Sequence, residues 1–251
     1  MTVTAVDKVL LDNRGKNVFI LLDPDKVLKE KDTYAKNLQR ACSGIASVLV
    51  GGSTGFSQCE VNETIDLVRS VCNKPVIIFP GSPAHVTPKA DAILFMSLLN
   101  SRKTKFIIED QLEGSLLVWK YGLEALPTAY LIVGEGGTAG WIGDANPIPF
   151  EKPEILLMYV LAAKYLGFKY VYIEAGSGAK RHVPPEMVKA VKNVVGNDVF
   201  LIVGGGIRTI ETAKSLLNAG ADGIVLGTLF ERDPDRAIEI INSITREKSM
   251  R

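Results

Sequence analysis

Eight short apolar runs recur along the chain, each closed by glycine or polar residues: NVFILLD from residue 17, ASVLVGG from 46, PVIIFPG from 75, AILFMSL from 92, AYLIVGE from 129, YVYIEAG from 170, VFLIVGG from 199 and GIVLGT from 223. They are dense in Val, Ile and Phe without strict alternation, the pattern of strands covered on both faces, as in a parallel sheet. Helical spacing separates most of them. Val188, Val191 and Val195 repeat behind Pro184 and Pro185, and Ala213, Leu216, Leu217 and Gly220 follow a capping Thr209. DPDRAIEIINSI opens on Asp233 as a cap with Pro234 at the first helical position. Eight strands alternating with helices in 251 residues predict a (β/α)8 TIM barrel, one domain spanning 1–251, with a doubly wound open sheet as the rival.

Two elements depart from the regular pattern. The third connection, GSPAHVTPKAD, holds two prolines and has room for little more than a turn, so a loop stands where a helix is expected. The gap it leaves is either a groove or merely a short connection. The helix at 155–166, ILLMYVLAAKYL, has Lys164 as its only charge and lacks a polar stripe. Its second apolar face fits a subunit contact or a covering terminal extension, and subunit contact is the expectation.

Composition narrows the partners. Lysine and arginine number 29 against 28 acids, a net charge of +1, so no overall field draws nucleic acid or anionic lipid and any anion is bound locally. The start, MTVTAVDKVLLDNRGK, has no apolar stretch long enough for a signal peptide, and no run in the chain reaches about 18 apolar residues without a charge, which predicts a soluble protein without stable membrane insertion. Cys42, Cys59 and Cys72 show no CxxC spacing and only His85 and His182 could join them, so neither a disulfide framework nor a zinc site is expected, and a reducing cytoplasm is the simpler location.

The chemistry gathers at the strand ends. GGGIRT at 204–209 and GT at 227–228 follow the last two strands and precede helices, where glycine backbone and free N–H groups hold phosphate in barrels of this type, and GSG follows strand six. LLDPDK at 21–26 places Asp23 and Asp25 around Pro24. Asp25 suits a turn or cap, while Asp23, nearer the strand end, is the better ligand for Mg²⁺ shared with substrate phosphates. Ser53 and Thr54 in GGST either cap a helix or approach a diphosphate. Lys180 and Arg181 either add charge near the phosphate or form a solvated loop. His85 and His182 read as near-surface polar residues. Two phosphate-bearing substrates would account for two such sites.

LLDPDK, VGGSTG, FPGS, YLIVGEGGTAGWIGDANPIP, YIEAGSGA, VGGGIRT and GIVLGT, in this order over almost the whole chain, resemble the geranylgeranylglyceryl phosphate synthase family, and the stretch around Trp141 resembles its second group. The resemblance implies a modified barrel with the third helix replaced by a flexible segment. It also implies a prenyltransferase that joins the C3 hydroxyl of sn-glycerol 1-phosphate to a prenyl diphosphate, geranylgeranyl diphosphate being the expected donor. It implies Mg²⁺ at Asp23 and Ser53, and glycerol phosphate on Tyr172, Ile173, Glu174, Ala175, Gly176, Ser177 and Gly178, on Gly205 and Gly206, and on Gly227 and Thr228. Glu174 would take the hydroxyl proton. Tyr172 would contact glycerol or shield a cation, unless it simply fills the barrel. Phe79, Phe95 and Met96 are candidates for the prenyl groove, and a homo-oligomer, dimer or hexamer, is expected. The rivals are another phosphate-binding barrel enzyme, such as a sugar-phosphate isomerase or lyase, and a noncatalytic phosphometabolite-binding barrel.

Overall fold

The computed structural model describes residues 5–52 and 56–246. In chain order its first half runs α1 (Ala5–Asp12), β1 (Asn17–Leu22), α2 (Pro24–Val27), α3 (Lys31–Ala41), β2 (Ser47–Gly51), α4 (Gln58–Val71), β3 (Val76–Phe79), β4 (Ala92–Leu98), α5 (Asp110–Tyr121) and β5 (Glu124–Ile132). The second half runs α6 (Gly137–Ile142), α7 (Pro153–Tyr165), β6 (Tyr170–Glu174), α8 (Pro185–Val195), β7 (Phe200–Gly204), α9 (Ile210–Asn218), β8 (Gly223–Leu226), α10 (Thr228–Arg232) and α11 (Pro234–Arg246). The eight strands pair in sequence order and β1 closes on β8, every pair parallel. The fold is a TIM barrel, and the open-sheet rival is excluded.

Burial on both faces explains the unbroken apolar runs. Side chains alternate across each strand, so Val18, Ile20 and Leu22 join the layer beneath the helices. Phe19, Leu49, Ile77, Leu94, Tyr170, Tyr172 and Phe200 fill the barrel interior. Helix α1 plugs the amino-terminal mouth with Val6 and Leu10. The Glu124 carboxylate accepts the N–H groups of Val6 and Asp7 at 3.2 and 3.0 Å, and the Tyr170 hydroxyl donates to Asp7 at 2.5 Å. Strand β5 therefore starts five residues before the apolar run that announces it. Pro127, an unfavourable strand residue by composition, hides that first half.

The helix signals hold at α8, α9 and α11. Thr209 accepts the N–H of Thr212 at 3.1 Å and Asp233 that of Arg236 at 3.1 Å. The third connection contains only a single 3₁₀ turn, Pro83–His85. Two expectations are corrected. Asp25 caps nothing: it lies within the four-residue α2, with its carboxylate 3.9 Å from Lys29. Cys42 and Cys72 form a disulfide between Cα atoms 5.6 Å apart, joining the ends of α3 and α4, while Cys59 is free. Both cysteines follow helix ends on the amino-terminal side of the barrel, a proximity that a sequence separation of 30 conceals.

Candidate active site

Strand β6 delivers the central pair. Tyr172 and Glu174 stand two residues apart and face the interior, whereas Ile173 and Ala175 turn outward into the helix-covered layer. Glu174 is buried; its Oε1 accepts the Gly176 N–H at 2.6 Å and its carboxylate accepts the Tyr172 hydroxyl. The neighbouring strand must be bare to leave room. A Cβ on Gly204 would lie 2.3 Å from the Tyr172 hydroxyl, and one on Gly205 would lie 2.5 Å from Glu174 Oε1. Burial raises the Glu174 pKa above the ordinary glutamate value, and the Gly176 N–H and Tyr172 hydroxyl offset only part of the rise. A carboxylate raised in this way is a better proton acceptor at neutral pH.

Glu174 opens onto a cavity of about 260 Å³ lined by Ser177, Gly178, Gly205, Gly206, Gly227 and Thr228. The three strand-end loops meet here, with Ser177 Oγ 2.9 Å from Thr228 Oγ1. Arg208 and Arg232 add positive charge to the wall. Backbone-lined, glycine-rich and cationic, the cavity suits a phosphate group.

A second cavity, about 110 Å³, lies between the third connection and α5. Phe79, Phe95 and Met96 line it together with Pro83, Phe106, Val118 and Tyr130. The missing third helix thus leaves a groove. Phe79, Tyr130 and Tyr172 meet edge to face with ring centroids 5.2 to 5.8 Å apart. Tyr172, which also lines the phosphate-type cavity, stands at the partition between the two.

Asp23 lies at the start of α2, with Oδ2 2.6 Å from Lys26 Nζ. A Cβ on Gly52 would come within 2.0 Å of Oδ1, so glycine there makes space around the carboxylate. Among the described residues there is no cluster of three metal-binding side chains. One carboxylate with room around it fits Mg²⁺, an ion that takes few protein ligands and completes its shell with water and phosphate oxygens. Ser53, the other expected ligand, and Thr54 lie outside the described residues. Lys26 also bonds both oxygens of Glu231, at 3.1 and 3.0 Å. Burial lowers its pKa, but the two carboxylates outweigh that and the net shift is upward. Burial, helped by the Glu231 charge, pushes the nearby Tyr34 up to about 12.

Residues 11–245 match the PcrB family. The chain belongs to that family. It is 60% identical over 235 residues to the geranylgeranylglyceryl phosphate synthase of Ignicoccus hospitalis, covering 94% of this chain and 96% of the relative. It is 51% identical over 226 residues to the Methanopyrus kandleri protein of the same name, covering 89% and 92%. Among solved structures, it superposes on (S)-3-O-geranylgeranylglyceryl phosphate synthase from Thermoplasma acidophilum in complex with sn-glycerol-1-phosphate. The TM-score is 0.90 and the identity 39%, covering 98% of this chain and 100% of that one.

Within this PcrB-family chain, the expected site residues separate by direction. Glu174, Tyr172, Ser177, Gly178, Gly205, Gly206, Gly227 and Thr228 share one cavity wall. Gly176 reaches Glu174 through its backbone. Ile173 and Ala175 point away, leaving only their backbone near the site. Lys180 and Arg181 are exposed, and Arg181 stacks on Phe150 at 4.8 Å and pairs with Glu151 at 3.6 Å. His182 is half-buried, but His85 is not the near-surface residue expected. It is buried, stacks on Phe56 at a centroid distance of 4.2 Å, and accepts the Gly81 N–H at 3.1 Å. Arg208, Arg232, Lys26 and Glu231 went unnoticed in the sequence. Only the IRT extension of the glycine triplet hints at Arg208.

Proposed function

We propose that this PcrB-family protein is a prenyltransferase that joins the C3 hydroxyl of sn-glycerol 1-phosphate to a prenyl diphosphate, forming an ether bond of archaeal-type lipids. One relationship carries the reading: the buried Glu174–Tyr172 pair stands where a phosphate-type cavity meets an apolar one. Glycerol phosphate bound on the glycine loops would bring its hydroxyl to Glu174, and the prenyl chain would lie along Phe79, Phe95 and Met96. Glu174 accepts the hydroxyl proton as the oxygen attacks the allylic carbon and diphosphate departs, a contribution of about 10²- to 10⁴-fold for a general base. Tyr172 holds the carboxylate by its hydroxyl and turns its ring towards the aromatic wall, where π-density favours developing positive charge. Asp23 and Ser53 would hold Mg²⁺. When bound there, the ion neutralises charge on the leaving diphosphate.

Among the described residues no helix is long and apolar enough to cross a membrane. Our reading places the enzyme in the cytoplasm. It also takes the exposed Leu112, Leu116 and Trp119 of α5, Trp141 of α6 and Met158 and Tyr165 of α7 as surfaces of a homo-oligomer, a dimer or a hexamer.

The test is incubation of the protein with sn-glycerol 1-phosphate, Mg²⁺ and radiolabelled prenyl diphosphates of graded length. A solvent-extractable ether product is expected. Its absence at every chain length would overturn the proposal and favour the isomerase, lyase or noncatalytic barrel.

A further inference from the structure

We propose that Arg208 is a positioning residue that holds the 176–180 loop in the shape that receives phosphate. This rests on the function proposed above and adds a residue to its machinery. The loop is soft by composition: Gly176 and Gly178 adopt φ of 112° and 70°, and such backbone has many alternatives to lose on ordering. Arg208, reaching from the loop after β7, gathers three successive carbonyls of this segment. Its Nη2 donates to the oxygens of Gly178 at 3.0 Å and Ala179 at 2.7 Å, and its Nη1 to that of Lys180 at 3.3 Å. The anchor is itself anchored. Arg236 of α11 donates from Nε to the Arg208 carbonyl at 2.8 Å, and Asp233 holds the Arg236 N–H at 3.1 Å.

Of the three residues Gly178 lines the phosphate-type cavity, where a bare carbonyl dipole would oppose a dianion, and the guanidinium neutralises it while fixing all three peptide planes. The planar fork presents five donors in fixed directions, whereas a lysine ammonium is a compact point charge on a flexible stem, so lysine preserves the charge without the geometry. A loop already ordered asks less of the ligand's binding free energy.

The experiment compares wild type with Arg208→Met and Arg208→Lys by hydrogen–deuterium exchange of the ligand-free protein, calorimetric binding of inorganic phosphate, and steady-state kinetics. Both variants should show faster exchange confined to residues 176–182, about tenfold weaker phosphate binding, and a similar rise in KM for sn-glycerol 1-phosphate. Their kcat should stay within about threefold, with an unchanged KM for the prenyl diphosphate. An Arg208→Lys protein that behaves as wild type would reduce the role to charge and overturn the proposal. So would unaltered exchange in the loop, or faster exchange throughout the barrel with both KM values moved equally. If Arg208→Met fails to fold, Arg208→Lys decides alone. Should wild type form no ether, the proposed function fails, while the exchange and phosphate measurements still judge Arg208.

Discussion

Gly176 donates its N–H to Glu174 Oε1 at 2.6 Å, yet burial still leaves the Glu174 carboxyl with a pKa above its ordinary value. The native state therefore holds the Glu174 proton more tightly than the unfolded chain does. Stability from this group is complete below the unfolded glutamate pKa, and it is lost as pH rises through the higher native one. Glu174→Gln should lower turnover by about 10²- to 10⁴-fold with sn-glycerol 1-phosphate binding nearly intact. The variant should also melt higher than wild type at neutral pH, and the difference should vanish in acid. In wild type the acid limb of kcat/KM should lie above the usual glutamate range. Normal turnover in Glu174→Gln would remove the base role.

Lys26 of α2 ties Asp23, the residue just before that helix, to Glu231 of α10. Asp23→Asn should raise the Mg²⁺ concentration for half-maximal activity by roughly 10- to 100-fold, the equivalent of a charged contact of about 1.5 to 3 kcal/mol. An unchanged metal titration would remove Asp23 from the site. The Lys26 side chain is 40% exposed, so solvent screens the pair. A double-mutant cycle of Lys26→Met with Glu231→Gln should give a coupling of about 0.5 to 1 kcal/mol in urea unfolding.

The barrel was legible in the sequence because the strands are buried on both faces and each strand end is marked by glycine or polar residues. The pairing of Tyr172 with Glu174 was legible for a similar reason, since a separation of two places both on one face of β6. Tertiary contacts between distant segments left no local trace. Lys26 meets Glu231 across 205 residues, and Glu124 caps α1 across 117. Arg208 looked like an ordinary residue after a glycine triplet, because its partners are carbonyls, which have no sequence identity. His85 looked exposed because two prolines suggested an open loop, yet Phe56 covers its ring.

The Cys42–Cys72 disulfide closes a loop with a sequence separation of 30, for which chain entropy gives about 3 to 4 kcal/mol of stabilisation. Reduction, or Cys42→Ser, should lower the melting temperature by roughly 6 to 16 °C for a chain of this size. Both cysteines lie on the barrel side opposite the candidate site, so kinetics at moderate temperature should not change. A reductant-insensitive melting curve would show that the bond contributes nothing.

Gly114 sits inside α5 and is buried beside the apolar cavity, where a Cβ would meet only Val86 at 3.8 Å and Pro83 at 4.0 Å. Both are ordinary contacts and the backbone is helical, so neither crowding nor conformation demands glycine. A glycine inside a helix costs about 1 kcal/mol relative to alanine. The cost makes sense if a larger side chain here would occupy the space that takes the prenyl chain. Gly114→Ala should therefore raise the melting temperature by about 2 to 4 °C while leaving product length nearly unchanged. Gly114→Phe should fill the cavity and shift the longest accepted donor to a shorter one. Competition among geranyl, farnesyl and geranylgeranyl diphosphates, read from the product profile, separates the two outcomes. If Gly114→Phe folds and still prefers the same longest donor as wild type, the prenyl chain does not pass α5 at this point.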